Sequence, residues 1–488
     1  MAWLRPECGN RWTSRALGSI AGLSVGLALV PSAQAQSEER RFERAIRQAA
    51  AYGERFRVDT SLGVTERSVL DVGGFASFFA LHLTDSDDNA RRLLQPEVSL
   101  YARLAIDGAH TLFARARFQY RDFSSGDSFD ERGDSWAEPI MDRFWYEFDL
   151  AGAMAAYEGR VIDGTFNLRV GRQFVDWGAG LSLSETLYAA RPTIVTGPFS
   201  IEGLVGVTPT DRSITDFDAS RDDFNSDTER AFFGGLFRYD TRTGHQIYTY
   251  ILAQQDNNDG TEPRAAIPPP VDFDYNSTYL GIGAQGAITQ KLFYDAEFVY
   301  EFGDSRSDPL RGPQVKEDIS AFAGRFLLGY LFGDVRQSQV QFEALFATGD
   351  DDRLVTTDTV GGNLAGTTDT AFNSLGFVNT GLAFAPALSN LLAFRLGVVS
   401  NPFADIESVR QLQVGVDLFL LNKFDSDAPI EEPTDNSMFL GIETDLSINY
   451  RITSDLALTA RYGVFFPGDA IESQSVRHFV FGGVTLSF

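Results

Sequence analysis

From about Leu70 to the last residue, apolar and polar side chains alternate with a period of two, in segments of roughly 10 to 14 residues. The clearest segment is Leu440–Tyr450. Its apolar set is Leu440, Ile442, Leu446, Ile448 and Tyr450, and its polar set is Gly441, Glu443, Asp445, Ser447 and Asn449. The same pattern recurs in Leu292–Phe302 and Leu456–Phe466. Such strands suit a wall with lipid on one face and water on the other.

A soluble β-sandwich also alternates, so the lengths of the connections decide the fold class. The short connections are Asp107–His110, Asp240–Gly244, Ile288–Lys291, Gly333–Gln337 and Arg451–Asp455. The long ones are Asp122–Pro139, Thr208–Arg230, Gln255–Tyr275, Asp304–Asp318, Gly349–Asn390 and Asp425–Ser437. Because the two kinds mostly alternate, we predict an all-β transmembrane antiparallel barrel of about 18 strands, with short periplasmic turns and long extracellular loops.

Two segments are difficult to place in this barrel. Phe372–Phe384 could form a strand, but a strand there would make the count odd, so we assign it to the long loop. Leu181–Ala190 is a weak strand.

The first 35 residues have the features of a secretory signal peptide. Arg5, Arg11 and Arg15 precede the apolar run Ala16–Val30, which at about 15 residues is shorter than a bilayer span. Ala33–Ala35 has the small-residue pattern of a cleavage site. We expect cleavage near Ala35, and an uncleaved anchor is the alternative.

The predicted organisation is therefore a signal peptide at 1–35, a periplasmic segment at 36–69 and the barrel at 70–488. Within the periplasmic segment, apolar residues between Gln36 and Arg57 recur at helical spacing, which predicts one short amphipathic helix.

Composition excludes several classes of protein. The formal charge is −26, with 41 Lys and Arg against 67 Asp and Glu, which argues against binding to nucleic acid. Cys8 is the only cysteine and lies in the signal, so no disulfide or zinc–thiolate site is expected in the mature chain. Much of the acidity lies in predicted loops such as Asp350–Asp352, where a solvated rim and divalent-ion binding are both open.

If the apolar set of each strand faces lipid, the opposite set lines the lumen. The basic residues of that set are Arg103, Arg115, Arg117, Arg143, Arg238, Arg325, Arg395, Arg461 and Arg477. The opposing acidic residues on the C-terminal strands are Asp295, Glu297, Glu301, Glu343, Asp417, Glu443 and Asp445. Arg169 and Arg172 have opposite parity, so both face inward only if a bulge intervenes, for which Gly171 is a plausible place.

These charges have two interpretations, and the sequence leaves both open. A charge facing lipid at the midplane would cost about 2–4 kcal/mol, so the side chains must face water or one another. They either form ion-pair ladders that stiffen the wall or provide an electrostatic lining that selects charged solutes.

Several short motifs recur along the barrel segment: Leu168–Gln173, Ala347–Asp351, Ala387–Leu391, Leu440–Asp445 and Arg461–Asp469. Together they resemble the motifs of the alginate export family of outer-membrane porins, and the final Val484–Phe488 resembles a closing strand read by barrel-assembly machinery. The resemblance implies an 18-stranded monomer whose arginine-lined, loop-occluded lumen passes an anionic polysaccharide. It assigns substrate contacts to Arg172 and Arg461.

We therefore expect a passive channel in outer-membrane lipid, without cofactor or catalytic residues. The four histidines, His82, His110, His245 and His478, have no metal-ligand spacing. A diffusion porin for small charged solutes is the alternative, and an outer-membrane hydrolase or a partner-binding surface barrel are alternatives from other classes.

Overall fold

A computed structural model describes residues 57, 59–86, 89–124, 135–209, 230–257, 261–262, 271–272, 274–308, 311–353 and 363–488. The predicted signal peptide and most of the predicted periplasmic segment, with its helix, lie outside the described residues. The first element is a single 3-10 turn at Val64–Arg67.

Eighteen antiparallel strands form one closed sheet, which confirms the predicted fold class and strand number. The strands of the first half are β1 (Ser68–Thr84), β2 (Ala90–Ile106), β3 (His110–Phe123), β4 (Ser135–Asp149), β5 (Thr165–Asp176), β6 (Ser184–Thr196), β7 (Phe199–Val207), β8 (Arg230–Asp240) and β9 (His245–Asp256). A two-stranded hairpin, β10 (Thr261–Glu262) and β11 (Val271–Asp272), lies in the following loop and outside the barrel sheet.

The remaining barrel strands are β12 (Asn276–Ala287), β13 (Leu292–Arg306), β14 (Lys316–Leu331), β15 (Gln339–Ala347), β16 (Leu391–Ser400), β17 (Leu412–Asn422), β18 (Phe439–Arg451), β19 (Leu456–Pro467) and β20 (Arg477–Ser487). Each strand pairs with the next along the chain, and β20 closes the barrel on β1. Beyond β20, Phe488 exchanges two backbone hydrogen bonds with Gly74, at 2.8 and 2.9 Å.

The two ends of the barrel differ as the connection lengths predict. All five connections predicted to be short join strands at one end, which we call the turn end. The predicted long connections lie at the other, the loop end. At the turn end, β4 and β5 are joined by a helical segment, α1 (Leu150–Ala153), continued by a π-turn at Met154–Glu158. No helix in the described part of the chain is long and apolar enough to cross a membrane.

The two difficult segments behave differently. Phe372–Phe384 contains no strand and belongs to the β15–β16 loop, as assigned. The weak strand is real, but β6 begins at Ser184 and runs to Thr196, so residues 181–183 belong to the loop before it.

The outer face of the barrel exposes the apolar set of each strand. Ile282 is 58% and Phe298 43% exposed on neighbouring strands, and this surface suits lipid. One parity assignment is wrong: Leu440 is 0% exposed and packs inside. Opposite it the register shifts between Leu421 and Asn422, and Gly441 has φ +149°, so this irregularity turns Leu440 inward.

The lumen at the loop end contains an apolar core instead of water. Two loop segments, 177–183 and 363–390, fold into it and together form what we call the plug. They meet through a parallel bridge between Leu183 and Leu375 and a 2.8 Å hydrogen bond from Phe377 N to Gly180 O. The plug and the wall bury these residues: Trp177, Leu181, Leu183, Phe372 and Phe384 from the plug, and Leu252, Val299, Ala321, Leu345 and Leu421 from the strands.

A buried ion pair stiffens the wall where β3 meets β4. The register shifts there by one residue, so that Arg115 lies opposite Arg143, Ala116 lies opposite Met141, and Asp142 is the extra residue. Arg115 and Asp142 are both buried and are 2.5 Å apart. The bulge therefore brings the Asp142 carboxylate next to the Arg115 guanidinium.

We expect Asp142→Asn to destabilise the barrel by about 3–5 kcal/mol, because it removes the charge of one partner from a buried ion pair. The matched control is Asp71→Asn, which breaks the Arg103–Asp71 pair, where the Asp71 side chain is 51% exposed, and which should cost no more than about 1 kcal/mol. Thermal unfolding followed by the mobility of the folded barrel in SDS gels measures both. Equal unfolding temperatures for the two variants would contradict the assignment.

Candidate functional site

The plug is held in the lumen by a buried glutamate of β18. Glu443 is 0% exposed, and its carboxylate accepts hydrogen bonds from the backbone N–H groups of three consecutive plug residues. Leu382 and Ala383 donate to Oε1, the latter at 2.6 Å, and Phe384 donates to Oε2 at 2.9 Å. Successive N–H groups that converge in this way form an anion-binding concavity. Here the anion comes from the wall.

Glycine makes this approach possible. Gly381 has φ +129°, and a Cβ at that position would lie 2.7 Å from Oε1 of Glu443. A side chain at position 381 would therefore both strain the backbone and displace the carboxylate.

Two glutamates of β13 hold other parts of the plug. Glu301 accepts a hydrogen bond from Asn373 N at 2.9 Å and another from the Tyr275 hydroxyl at 2.7 Å. Glu297 accepts from Ala179 N and from the hydroxyls of two tyrosines of β9, Tyr248 at 2.7 Å and Tyr250 at 2.6 Å. We call Glu297, Glu301 and Glu443 the latch glutamates. All three were predicted to line the lumen. In the structure they are buried beneath the plug, which occupies this part of the lumen.

Stacked rings and an ion pair hold the plug from the side. The rings of Phe384 and Phe465 stack with centroids 4.3 Å apart, and the Arg477 guanidinium lies 5.2 and 5.4 Å from their centroids. Arg477 also forms a bidentate pair with Glu432 of the β17–β18 loop, both bonds 2.8 Å long. The predicted lumen residue Arg477 is thus a structural cation.

The acidic stretch at the start of the β15–β16 loop is also used structurally. Burial, with Asp369 nearby, raises the pKa of Asp350 to about 6. Its carboxylate accepts hydrogen bonds from Thr370 N at 2.9 Å and Asp352 N at 2.8 Å. Arg353 pairs with Asp369 at 2.6 Å in full burial. These contacts join the first part of the loop to the plug.

A ladder of alternating charges crosses five neighbouring strands, β13 to β17. Arg325 lies between Asp295, at 3.1 Å, and Glu343. Arg395 lies between Glu343, at 2.7 Å, and Asp417, at 3.3 Å. Of the two interpretations that the sequence left open, the ion-pair ladder describes this arc.

A second buried cluster lies on β6, β7 and β8. Glu202 accepts from Arg191 at 2.5 Å, from Arg238 at 3.3 Å and from Trp177 Nε1 at 2.9 Å. The two guanidinium groups compensate the negative charge of Glu202, whose carboxylate also contacts Trp177 of the plug. Arg238 was predicted to face inward, whereas Arg191 and Glu202 were missed. The parity rule would have found Arg191 had β6 been extended beyond Ala190.

Five of the arginines on β2 to β5 form what we call the basic arc. Arg103 pairs with Asp71 at 3.1 Å, and Arg169 pairs with Glu147 at 2.7 Å while its guanidinium lies 4.1 Å from a Trp145 ring centroid. Arg143 donates to the Thr186 hydroxyl. Arg117 is half-buried, and among the described residues it makes no ion pair. The members of the arc are Arg103, Arg115, Arg117, Arg143 and Arg169.

No bulge forms at Gly171, where one was expected, but the backbone of this glycine is unusual. Its φ is +133°, and a Cβ there would lie 2.3 Å from the Phe144 carbonyl oxygen. Arg169 and Arg172 on either side are both buried, while the pairing with β4 and β6 stays in step. Arg172 is 2% exposed, with its guanidinium 5.7 Å from the Tyr188 ring centroid, so it lies against the wall.

The other arginine singled out by the motifs also binds the wall. Arg461 donates to the carbonyl oxygens of Ile448 at 3.1 Å and Ala460 at 2.9 Å and to the Asn449 side chain at 2.9 Å. Asp445, predicted to line the lumen, is buried beside the plug, with its Oδ1 near Gly463.

Three of the four histidines pair with tyrosines, two of them on the adjacent strand and His245 with a tyrosine two strands away. The pairs are His110 with Tyr146 at 2.7 Å, His245 with Tyr294 at 3.3 Å and His478 with Tyr462 at 3.1 Å. The tyrosines belong to the outward set of their strands, so these pairs suit the lipid interface, where rings with a polar tip are favoured.

Solved structures share this architecture at low sequence identity. OccK11 (OpdR) of Pseudomonas aeruginosa is 12% identical over 90% of this chain and 99% of its own, with a TM-score of 0.52. OccK5 (OpdH) of the same organism is 11% identical over 88% and 100%, with a TM-score of 0.52. The outer membrane protein opdK, also from Pseudomonas aeruginosa, is 10% identical over 86% and 99%, with a TM-score of 0.50. At such identities the likeness concerns the fold alone.

Curated protein sequences give no match to this chain. A family model described as alginate export matches residues 80–482, which is nearly the whole barrel. The resemblance seen in the motifs is thereby confirmed. The closed barrel, its apolar outer face and this match together identify a passive channel of the outer membrane that belongs to the alginate export family.

Proposed function

We propose that the channel exports an anionic polysaccharide of the alginate type, guided by the basic arc. The observation that carries this proposal is the group Arg115, Arg117 and Arg143 on β3 and β4. Asp142 pairs with Arg115, whereas Arg117 has no carboxylate partner among the described residues. This part of the wall is therefore the place where a passing carboxylate meets a guanidinium.

Arginine suits this role for two physical reasons. Its planar guanidinium offers a forked set of donors to a carboxylate and stays charged at any accessible pH. Several weak sites on successive strands also let a polymer advance, whereas one tight site would retain it. We assign the main contact with the polymer to Arg117 rather than to Arg172 and Arg461, because the guanidinium groups of those two arginines lie against the wall.

Passage of a polymer requires the plug to move, because the plug fills the loop end of the lumen. In an outer-membrane barrel the long loops face the outside, so the plug closes the extracellular half. The latch glutamates hold it through hydrogen bonds to backbone N–H groups. We infer that release of the latch is the opening step, and that no energy source is needed.

A diffusion porin for small charged solutes is the second candidate. The ladder of Asp295, Arg325, Glu343, Arg395 and Asp417 favours it, because its three carboxylates exceed its two arginines. An acidic arc opposed to the basic arc creates a transverse field without net anion preference. We assign no enzymatic activity. The three histidine–tyrosine pairs are better explained as interface anchors, and turnover of a lipid or peptide substrate by the purified barrel would overturn this part.

The remaining elements of the proposal concern assembly. Export and cleavage after Ala35 would deliver the chain to the periplasm, and barrel-assembly machinery would then read β20. The exposed ring of Phe488 and its pairing with Gly74 at the seam between β1 and β20 support that role. We propose that the assembled barrel acts as a monomer.

We expect Glu443→Gln to open the channel. The amide keeps one acceptor oxygen but presents an NH₂ group to a backbone N–H donor, so at least one charge-assisted hydrogen bond worth about 1.5–3 kcal/mol is lost. The open fraction in planar bilayers should rise roughly 10- to 100-fold. The control is Glu97→Gln, which removes the same charge from an inward residue whose bonds go to Gln95 and Ser99 rather than to the plug. Similar opening in both variants would exclude the latch.

We expect Arg117→Gln, in the Glu443→Gln background, to lower anion selectivity. Removal of one charge about 7 Å from a passing ion changes its energy by about 0.6 kcal/mol in water, which is about a threefold change in the permeability ratio. Reversal potentials under a salt gradient measure it. The control is Arg160→Gln, which removes a cation from an exposed ion pair at the turn end. An unchanged ratio for Arg117→Gln would remove this residue from the pathway.

The substrate class is tested by block of the open variant. A mannuronate hexamer should interrupt the current more strongly than an uncharged maltohexaose, because the acidic sugar can pair with the basic arc. Weak ion selectivity and no block by either sugar would support the diffusion porin instead. Absence of any current from the open variant would favour the surface barrel that binds a partner without conducting.

A further inference from the structure

A row of polar side chains crosses the turn-end half of the lumen, below the plug. Asp240 of β8, Gln246 of β9, Gln285 of β12 and Asp295 of β13 are direct cross-strand neighbours in the register. We call these four residues the amide row. With Phe293 they line an open cavity of about 760 Å³. The family match and the motifs assign nothing to it.

Hydrogen bonds hold the amide row in one orientation. Gln246 Nε2 donates to Asp240 Oδ1 at 2.8 Å, and Gln285 Nε2 donates to Gln246 Oε1 at 2.8 Å. A carboxylate only accepts hydrogen bonds, so the Gln246 amide must turn its NH₂ group toward Asp240. Its oxygen then faces Gln285, which must donate to it, so the orientation of both amides is fixed. Each amide keeps an N–H for another partner, and the Gln285 carbonyl oxygen and the second Asp240 oxygen remain as acceptors. The row thus alternates donors and acceptors.

An aromatic face lies beside this row. Phe293 is opposite Gly329 in the register, and a Cβ at Gly329 would lie 2.1 Å from the Phe293 ring, so the ring lies flat over the glycine. The half-buried ring leaves a surface to the cavity, against which C–H groups of a ligand can pack.

The arginines next to the row are already engaged. Arg325 pairs with Asp295 and Glu343, and Arg395 pairs with Glu343 and Asp417. An anion would therefore meet carboxylates here before it met an available cation. A ligand group that both donates and accepts, without charge, fits the row better, and the hydroxyl is that group.

We propose that the amide row is a binding site for sugar hydroxyls at the periplasmic mouth of the channel. The inference rests on the proposed function in one respect, that the transported solute is a carbohydrate, and it adds a site that reads hydroxyl groups. The basic arc meets the carboxylates of the polymer, and the amide row meets its uncharged edge. Together they distinguish an acidic polysaccharide from polyanions that lack sugar hydroxyls at this spacing.

Isothermal titration of maltohexaose into the detergent-solubilised mature barrel tests the site without requiring the plug to open. The unaltered barrel should bind this uncharged sugar, and Gln246→Leu with Gln285→Leu should weaken binding by about tenfold or more, since two neutral hydrogen-bonding groups are lost. The matched control is Gln95→Leu with Gln119→Leu. That pair is also joined by an amide–amide hydrogen bond, at 3.2 Å, but lies on β2 and β3. It should leave the affinity within about twofold.

Heat-modifiable mobility in SDS gels checks that each variant is folded, and Gln285→Leu alone replaces the double variant if that one does not fold. Absence of maltohexaose binding to the unaltered barrel, or equal losses in the test and control pairs, overturns the site. Its failure is distinguishable from that of the export proposal. Block by mannuronate without maltohexaose binding leaves export standing and removes the amide row. If maltohexaose binds in a way that depends on Gln246 and Gln285 but mannuronate does not block the current, the amide row stands and the export proposal fails.

Discussion

The closed state of this barrel depends on carboxylates that accept hydrogen bonds from the backbone of an inserted loop. A loop inside a lumen carries N–H groups that lose their water, and each one left unpaired is costly. Carbonyl groups that pair within the barrel sheet are not available to the loop, so the wall also supplies acceptors as side chains. The start of β14 adds a backbone acceptor, Asp318 O, which receives a 2.8 Å hydrogen bond from Asp369 N. Glu443 serves three consecutive residues, while Glu301 and Glu297 serve Asn373 and Ala179. The apolar packing around Phe372 and Phe384 becomes possible only after these polar groups are paired.

The barrel could be predicted from sequence because its information is local. A period of two fixes which side chains face lipid, and turn lengths fix the direction and number of strands. The prediction failed at Leu440, where a bulge beside Gly441 reverses the parity. The parity of Glu443 is inward, as predicted, but its contacts with the plug could not be predicted from the sequence. Its partners lie about 60 residues away along the chain, in a loop without a periodic pattern. The site at Glu202 was missed for a related reason, since a weak strand concealed Arg191.

The lumen is divided into two halves with different chemistry. At the loop end, small and apolar inward residues such as Ala321 and Val299 make room for the plug. At the turn end, inward residues are polar and leave open space beside Gln246 and Gln285. The boundary follows the register, because Tyr248 and Glu297 lie one inward step from Gln246 and Asp295 along the same strands. Two residues along a strand therefore separate the open, polar half of the lumen from the apolar core.

The passage of an anion that we propose is compatible with the formal charge of −26 of the chain. The net charge describes the whole sequence, whereas a solute in the lumen responds to charges within about a Debye length. Several of the described inward carboxylates have specific partners: Glu343 lies between two arginines, Glu202 between two others, and Glu443 within backbone N–H groups. Their charge is largely compensated where it stands. Under the proposed function, a few guanidinium groups such as Arg117 would then set the selectivity. Selectivity would be a local property of β3 and β4 that the composition of the chain does not reveal.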